Sequence, residues 1–179
     1  QFKHNDKLRC YHCKFAIMSK VIAVAKEEGF AIVLDGRNHD DGKSYRPGIQ
    51  ACEKLGILSP LAGVAMTKAE IRAYSKQLKI ATYDKPANAC LASRFDYGTE
   101  LDLSKLERVA QGEEIIREMG IASLRLRVAG DLARIEVEPQ DFEKIIGSSQ
   151  LVAKLKKLGF TYVTLDLAGL KSGGYDRES

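Results

Sequence analysis

The chain has 179 residues, 45% of them hydrophobic, and 28 basic against 24 acidic side chains for a formal charge of +4. That is enough apolar material for one sizeable core or two small ones. Four cysteines (Cys10, Cys13, Cys52 and Cys90) in a chain of this size argue against a secreted disulfide scaffold. No apolar run is long enough to span a bilayer, and there is no signal-like segment or low-complexity tract. The expectation is a globular, cytoplasmic protein with reduced thiols. The mild positive charge favours an anionic ligand slightly and does not by itself establish nucleic-acid binding. The sequence begins at Gln1 without Met and enters a loop and helix rather than a strand, so a preceding segment is expected.

RCYHCK carries the first motif. Cys10 and Cys13 are compatible with half a zinc site, a redox dithiol or part of an iron–sulfur site. His4, His12, His39, Cys52 and Cys90 are the next candidate zinc ligands, and none forms a second knuckle of matching spacing. A thioredoxin-like dithiol needs a strand just before the motif, which the sequence does not place there. From Phe15 to Gly29 the apolar residues recur at helical spacing, with Gly29 as a terminating glycine. Residues 30 to 34, FAIVL, then read as a buried strand of a parallel sheet.

The loop DGRNHDDGKSYRPG follows that strand, where open α/β sheets place ligands. Asp35, Asn38, Asp40 and Asp41 lack the alternation of a calcium loop. Arg37 and Arg46 suit a phosphate or carboxylate, which Arg grips through paired hydrogen bonds; a solvated polar turn is the alternative. A short helix is expected over residues 49 to 55, with Cys52 as packing, then a turn at ILSPLAG and a helix capped by the Thr67/Glu70 box. The stretch from Ile80 to Leu101 reads as a loop joining two units. Within it, ACLASR sets Cys90 beside Ser93 and Arg94, and a nearby guanidinium favours the thiolate; an inert buried thiol is the alternative.

The pattern restarts near residues 95 to 100: helix 104–119, strand 123–128, strand 133–138, helix 141–158 and strand 162–167. This α-β-β-α-β order suggests a small α+β domain whose polar sheet face carries Arg125, Arg127, Arg134 and Glu136. The tail SGGYDRES imitates a pyrophosphate loop, but no helix follows it, and it reads as a terminal tail.

Taken together, RCYHCK, VLDGRNHDDGKSYRPG, GILSPLAGVAMTKAEIRAYSK, DKPANACLASRFDYGT, LRLRV, ARIEVEP and LDLAGLKSGG resemble LarE-type ATP-dependent sulfurtransferases of the PP-loop class. The likeness runs over nearly the whole chain. The loop departs from the family's pattern at Ser44, before Tyr45, and the family's leading strand with its SGGxDS phosphate loop has no counterpart here. The resemblance implies the C-terminal part of a PP-loop (adenine nucleotide alpha hydrolase-like) α/β parallel-sheet domain over residues 1–97, followed by a small α+β domain over 98–179 for substrate binding or oligomerisation. It implies sulfur transfer to an adenylated carboxylate of a pyridinium dicarboxylate mononucleotide, in assembly of a nickel-pincer cofactor. Either Cys10, Cys13 and Cys90 hold a 4Fe-4S cluster, the preferred version, or Cys90 gives up its own sulfur. Ser93 and Arg94 would steady the phosphate or the activated acyl group.

By the same resemblance Glu114, Arg125, Arg127, Arg134 and Glu136 line the substrate end of the second domain, and the loop residues Asp35, Arg37, Asn38, Asp41 and Arg46 are the further candidates for binding substrate or phosphate. ATP with Mg is the implied co-substrate, a homo-oligomer is implied, and neither membrane nor nucleic acid is an expected partner. Because the phosphate loop is missing, this chain alone is not expected to adenylate a substrate. The rival readings are a PP-loop tRNA thiolase, which would show a basic stripe or added zinc knuckles, and a non-enzymatic partner module that kept the fold without the ATP site.

Overall fold

Helix α1 (Arg9–Glu27) starts where the side chain and carbonyl of Asp6 take the amides of Leu8 at 2.8 Å and Arg9 at 3.0 Å. It therefore begins six residues before the apolar period does and carries the C-x-x-C in its first turns. In the computed structural model, which describes residues 2–43, 46–85 and 89–171, the chain divides into two compact units. One holds Phe2 and residues 6–85, the other residues 3–5 and the described chain from residue 89 onward. Ser44, Tyr45 and the SGGYDRES tail lie outside the described residues.

In the first unit α1 ends as the sequence indicates. Gly29, at φ +80°, takes the left-handed conformation that closes a helix, and the amide of Phe30 reaches back to the carbonyl of Ala25 at 2.8 Å. After it come α2 (Pro47–Lys54), the one-turn α3 (Pro60–Gly63) and α4 (Lys68–Gln77), which opens on the complete Thr67/Glu70 capping box. Met18 of α1, Cys52 of α2 and Ile57 form a small core, with Ile22, Val33 and Leu55 packed on it.

The expected buried strand over residues 30–34 is not formed. Among the described residues its only sheet-like pairing is a parallel bridge from Leu34 to Leu58, and Phe30, Ile32 and Leu34 are each more than half exposed. An apolar run signals burial, but a strand exists only if neighbours supply its hydrogen bonds. Among the described residues of this unit, Leu58 alone does so.

In the second unit, α5 (Leu103–Arg117), capped by Asp102, precedes the hairpin of β1 (Leu124–Ala129) and β2 (Leu132–Val137). Strand β3 (Tyr162–Leu165) pairs parallel to β2, so the mixed sheet has the order β1-β2-β3. The chain is thus α/β in composition, with a small three-stranded sheet and helices. The expected helix over 141–158 is two helices, α6 (Phe142–Ile145) and α7 (Ser149–Lys157). Gly147, at φ +76°, breaks the helical path, and Ser148 restarts it by accepting the amide of Leu151. Apolar spacing continues across that break, which is why periodicity alone reads one helix.

The alternation in LRLRV sorts the sheet faces. Leu124, Leu126 and Val128, with Ala133, Ile135 and Val137 opposite them, join Val109 and Ile116 of α5 and Leu151 and Leu155 of α7 among the buried apolar residues. Gly112 lets α5 approach the sheet: a Cβ there would overlap the Leu126 side chain and stand 3.3 Å from Leu155 Cδ2. Gly112→Val is therefore expected to destabilise the protein by at least about 2 kcal/mol through overpacking, read as a lowered denaturation midpoint. A substitution without effect would show that this interface can part.

The other sheet face is not the open polar surface expected. Arg125, Arg127, Arg134 and Glu136 do share it, but Arg127 and Glu136 are only 3% and 4% exposed. The turn Leu91–Arg94 contacts β1, and the carbonyl of Ser93 accepts from Arg127. Just beyond the turn, Phe95 forms a parallel bridge to Val128 along the outer edge of β1. Asn5 supports the following segment, donating to the carbonyl of Asp96 at 2.8 Å while accepting the amide of Gly98 at 3.1 Å.

Candidate functional site

The sequence-predicted residues fall into two groups, one in each unit. In the first unit Cys10 and Cys13 lie three residues apart on α1, hence on one face. Cys10 is exposed and Cys13 half-buried. The start of α2 abuts this turn: a Cβ on Gly48 would stand 3.5 Å from the carbonyl oxygen of Cys10. Cys52 is buried, and burial pushes its thiol pKa up, against the pull of the Lys14 charge. No disulfide involves any of the four cysteines.

The loop after residue 34 is organised by its own carboxylates. Asp35 accepts the Ser59 hydroxyl at 2.6 Å and the amide of Arg37 at 3.1 Å. Burial pushes the Asp35 carboxyl up, but these hydrogen bonds, one from Cys52 and the charge of Lys14 outweigh it, and its pKa is lowered. Asp41 accepts the amide of Asn38 at 3.0 Å and pairs with Arg46 at 2.8 Å. Arg37 pairs with Glu53 at 3.1 Å. Asp35, Arg37, Asn38, Asp41 and Arg46 are thus gathered in one loop, with both arginines held by carboxylates of their own unit.

The second unit gathers a denser set. Cys90 is exposed at the head of the Leu91–Arg94 turn. Its carbonyl accepts the Ser93 amide at 2.9 Å and the Ser93 hydroxyl at 2.7 Å. Arg94, 3% exposed, donates Nη1 to Ser93 Oγ at 3.0 Å and meets Glu113 through Nε at 2.6 Å and Nη2 at 3.3 Å. Arg127 donates Nη1 to the carbonyl of Ser93 at 2.6 Å and Nε to Glu136 at 3.0 Å. Arg134 completes the group at 3.3 Å from the same Glu136 oxygen, whose partner Oε2 accepts no hydrogen bond among the described residues. Arg125 donates to the carbonyl of Lys171; burial and the charges of Arg127 and Arg94 lower its pKa, with Glu136 and Glu113 opposing them. Glu114 is mostly exposed and joins this network only at its margin, through Arg117 at 2.9 Å.

Glu113 is the residue that sequence reasoning missed. It is 1% exposed and its carboxylate also takes the amide of Leu126 at 3.1 Å and Arg117 at 3.0 Å. The signal was present: Val109, Gly112, Glu113 and Ile116 form the buried stripe of α5, and a carboxylate within an apolar stripe must be paired. With Asp166 pairing with Arg134 at 3.5 Å, and Arg117 shared by Glu113 and Glu114, five arginines meet four carboxylates near the Cys90 turn, a small excess of positive charge suited to an anionic ligand. Within either unit, no group of three or more His, Cys, Asp and Glu side chains among the described residues is arranged to hold a metal. No described helix is long and apolar enough to cross a membrane.

What these elements define is an α/β protein with a thiol on a turn braced by arginines. No protein-family profile matches the chain. It is 34% identical over 172 residues to the pyridinium-3,5-bisthiocarboxylic acid mononucleotide synthase of Lactiplantibacillus plantarum, a match covering 96% of this chain and 62% of that protein. It is also similar to an uncharacterized protein of Synechocystis sp., 42% identical over 97% of this chain and 66% of the relative. A third relative, an uncharacterized protein of Methanocaldococcus jannaschii, is 32% identical over 89% of this chain and 62% of its own length. The chain thus spans somewhat less than two thirds of the length of these relatives.

Proposed function

We propose that this chain is part of a LarE-type, ATP-dependent sulfurtransferase of the PP-loop class, acting on a pyridinium dicarboxylate mononucleotide in nickel-pincer cofactor assembly. The observation that carries this reading is the similarity to the Lactiplantibacillus synthase along 96% of the chain. The Cys90 turn lies inside the matching sequence block, with arginines around it. The part that grips ATP and Mg would belong to the third of the relatives' length that this chain does not span. The exposed apolar residues Phe30, Ile32 and Leu34 support that reading, since further strands of a PP-loop sheet would cover them.

A carboxylate resists substitution until its oxygen becomes part of a good leaving group, which adenylation provides. Sulfur then attacks the acyl carbon and AMP departs with the bonding electrons. If Cys90 is the donor, its thiolate forms a thioester; loss of the Cα proton and cleavage of the Cβ–S bond leave a thiocarboxylate and dehydroalanine. The excess arginine charge of the second unit would hold the mononucleotide phosphate.

The preferred version adds a 4Fe-4S cluster held by Cys10, Cys13 and Cys90. Three reduced thiols are ligands that such a cluster takes, and Cys52, enclosed by its core, is the cysteine left out of the set. Held by three thiolates, such a cluster would leave one iron free to carry an exogenous sulfide. Anaerobic iron and sulfide reconstitution tests this. About four irons per chain are expected, and Cys10→Ala, Cys13→Ala and Cys90→Ala should each lose them. No iron uptake, with Cys90 alkylated rapidly, would replace the cluster with the sacrificial cysteine.

A further inference from the structure

We propose that Glu113 is a positioning residue for Cys90: its buried carboxylate, acting through Arg94 and Ser93, fixes the turn that presents the thiol. The connection is unbroken. Glu113 grips Arg94 with both oxygens, Arg94 holds Ser93 Oγ, and that hydroxyl donates to the carbonyl of Cys90. Arg127 fixes the turn from the other side at the carbonyl of Ser93.

A carboxylate this deeply buried must be paired and hydrogen-bonded to stay charged. Here every partner has a structural address: β1 through the Leu126 amide, the outer surface of α5 through Arg117, and the Cys90 turn through Arg94. The turn itself is short, a single span of four residues. Buried Ala92 and the Phe95–Val128 bridge seat the turn against β1, and the two guanidinium groups, with the carboxylates behind them, fix residues 93 and 94 within it. Charge, rather than shape, is what Glu113 contributes.

The role of Cys90 in sulfur transfer rests on the function proposed above; the positioning of its turn does not, and the two are tested apart. Hydrogen exchange of the whole chain reads the turn directly. Glu113→Gln is expected to speed exchange of the residue 93 amide by about ten-fold or more while the β1–β2 amides keep their protection. Glu113→Asp should recover most of that protection, because it keeps the charge and Arg94 can follow it. A pure packing role predicts the reverse order, since Gln matches Glu in volume and Asp does not.

Arg117→Ala, which removes a contact of Glu113 on the side away from the turn, should leave residue 93 unchanged. Ser93→Ala buries no charge and should show a smaller acceleration even if Glu113→Gln fails to fold. Wild-type exchange at residue 93 in Ser93→Ala, equal loss of protection across α5, β1 and β2 in Glu113→Gln, or better retention in Gln than in Asp would each overturn the proposal. In a sulfur-transfer assay Glu113→Gln should lower kcat with KM little changed. A loosened turn with unaltered transfer would leave the positioning intact and remove Cys90 from the chemistry.

Discussion

On the sulfur transfer proposed above, Cys90→Ala is expected to abolish thiocarboxylate formation, by at least about 1,000-fold, while leaving thermal unfolding almost untouched. The two halves of this expectation come from different observations. Cys90 is exposed at the head of its turn, and the turn's hydrogen bonds use the backbone carbonyl of residue 90 rather than the sulfur. Removing the sulfur therefore leaves the bracing in place and falls within the small range of ordinary surface substitutions, about 0.5 kcal/mol either way. The chemistry has no such tolerance, because removing a nucleophile, or one ligand of the group that carries it, stops the step it performs. Supplying a preformed acyl-adenylate makes the assay independent of ATP binding, and mass spectrometry reads the exchange of oxygen for sulfur. Undiminished thiocarboxylate from Cys90→Ala would remove this thiol from the reaction.

Arg127→Ala is expected to cost about 3–5 kcal/mol of stability, the usual penalty for leaving one charge of a buried pair without its partner. Glu136, 4% exposed, would keep only Arg134, itself partly open to solvent, and its second oxygen already accepts no hydrogen bond among the described residues. The Ser93 carbonyl would lose its guanidinium at the same time. For a domain of this size the loss amounts to roughly 10–30 °C in Tm. Replacing both partners with apolar residues, Arg127→Met with Glu136→Leu, should recover much of it, since no buried charge remains. A single substitution costing under about 1 kcal/mol would mean that the pair is solvated, as exposed pairs are.

Where structure depends on neighbours in sequence, the sequence was readable. The Thr67/Glu70 box, the glycine end of α1 and the alternation of β1 and β2 are local devices, and each stands where its residues indicate. Residues 30–34 form no strand among the described residues, because hydrophobicity reports a demand for burial and says nothing of what meets it. The start of α1 was missed because RCYH has no apolar period and is placed by Asp6 instead. The split between α6 and α7 was missed because Gly147 interrupts the backbone without interrupting the spacing.

The candidate site shows the same division. The residues around Cys90 could be picked out one by one, but alternating arginines look identical whether they face water or two buried carboxylates. Only the register, Arg125 opposite Glu136 and Arg127 opposite Arg134, together with the turn laid against β1, reveals that Arg127 and Glu136 are interior. Glu113 was hidden beside Glu114 for a related reason: adjacent helix positions point in directions about 100° apart, so one carboxylate enters the core while its neighbour stays in solvent.

The outer edge of β1 has a consequence for how copies of this protein meet. A three-stranded sheet ends in strands whose outward amides can recruit a foreign strand. Here the Leu126 amide is taken by the Glu113 carboxylate and Val128 is bridged by Phe95. The residues that brace the Cys90 turn thus also close this border to invading strands. A variant that loosens the turn should accordingly become prone to self-association through β1, and a rise in aggregation rate would be an early sign that the turn had come free.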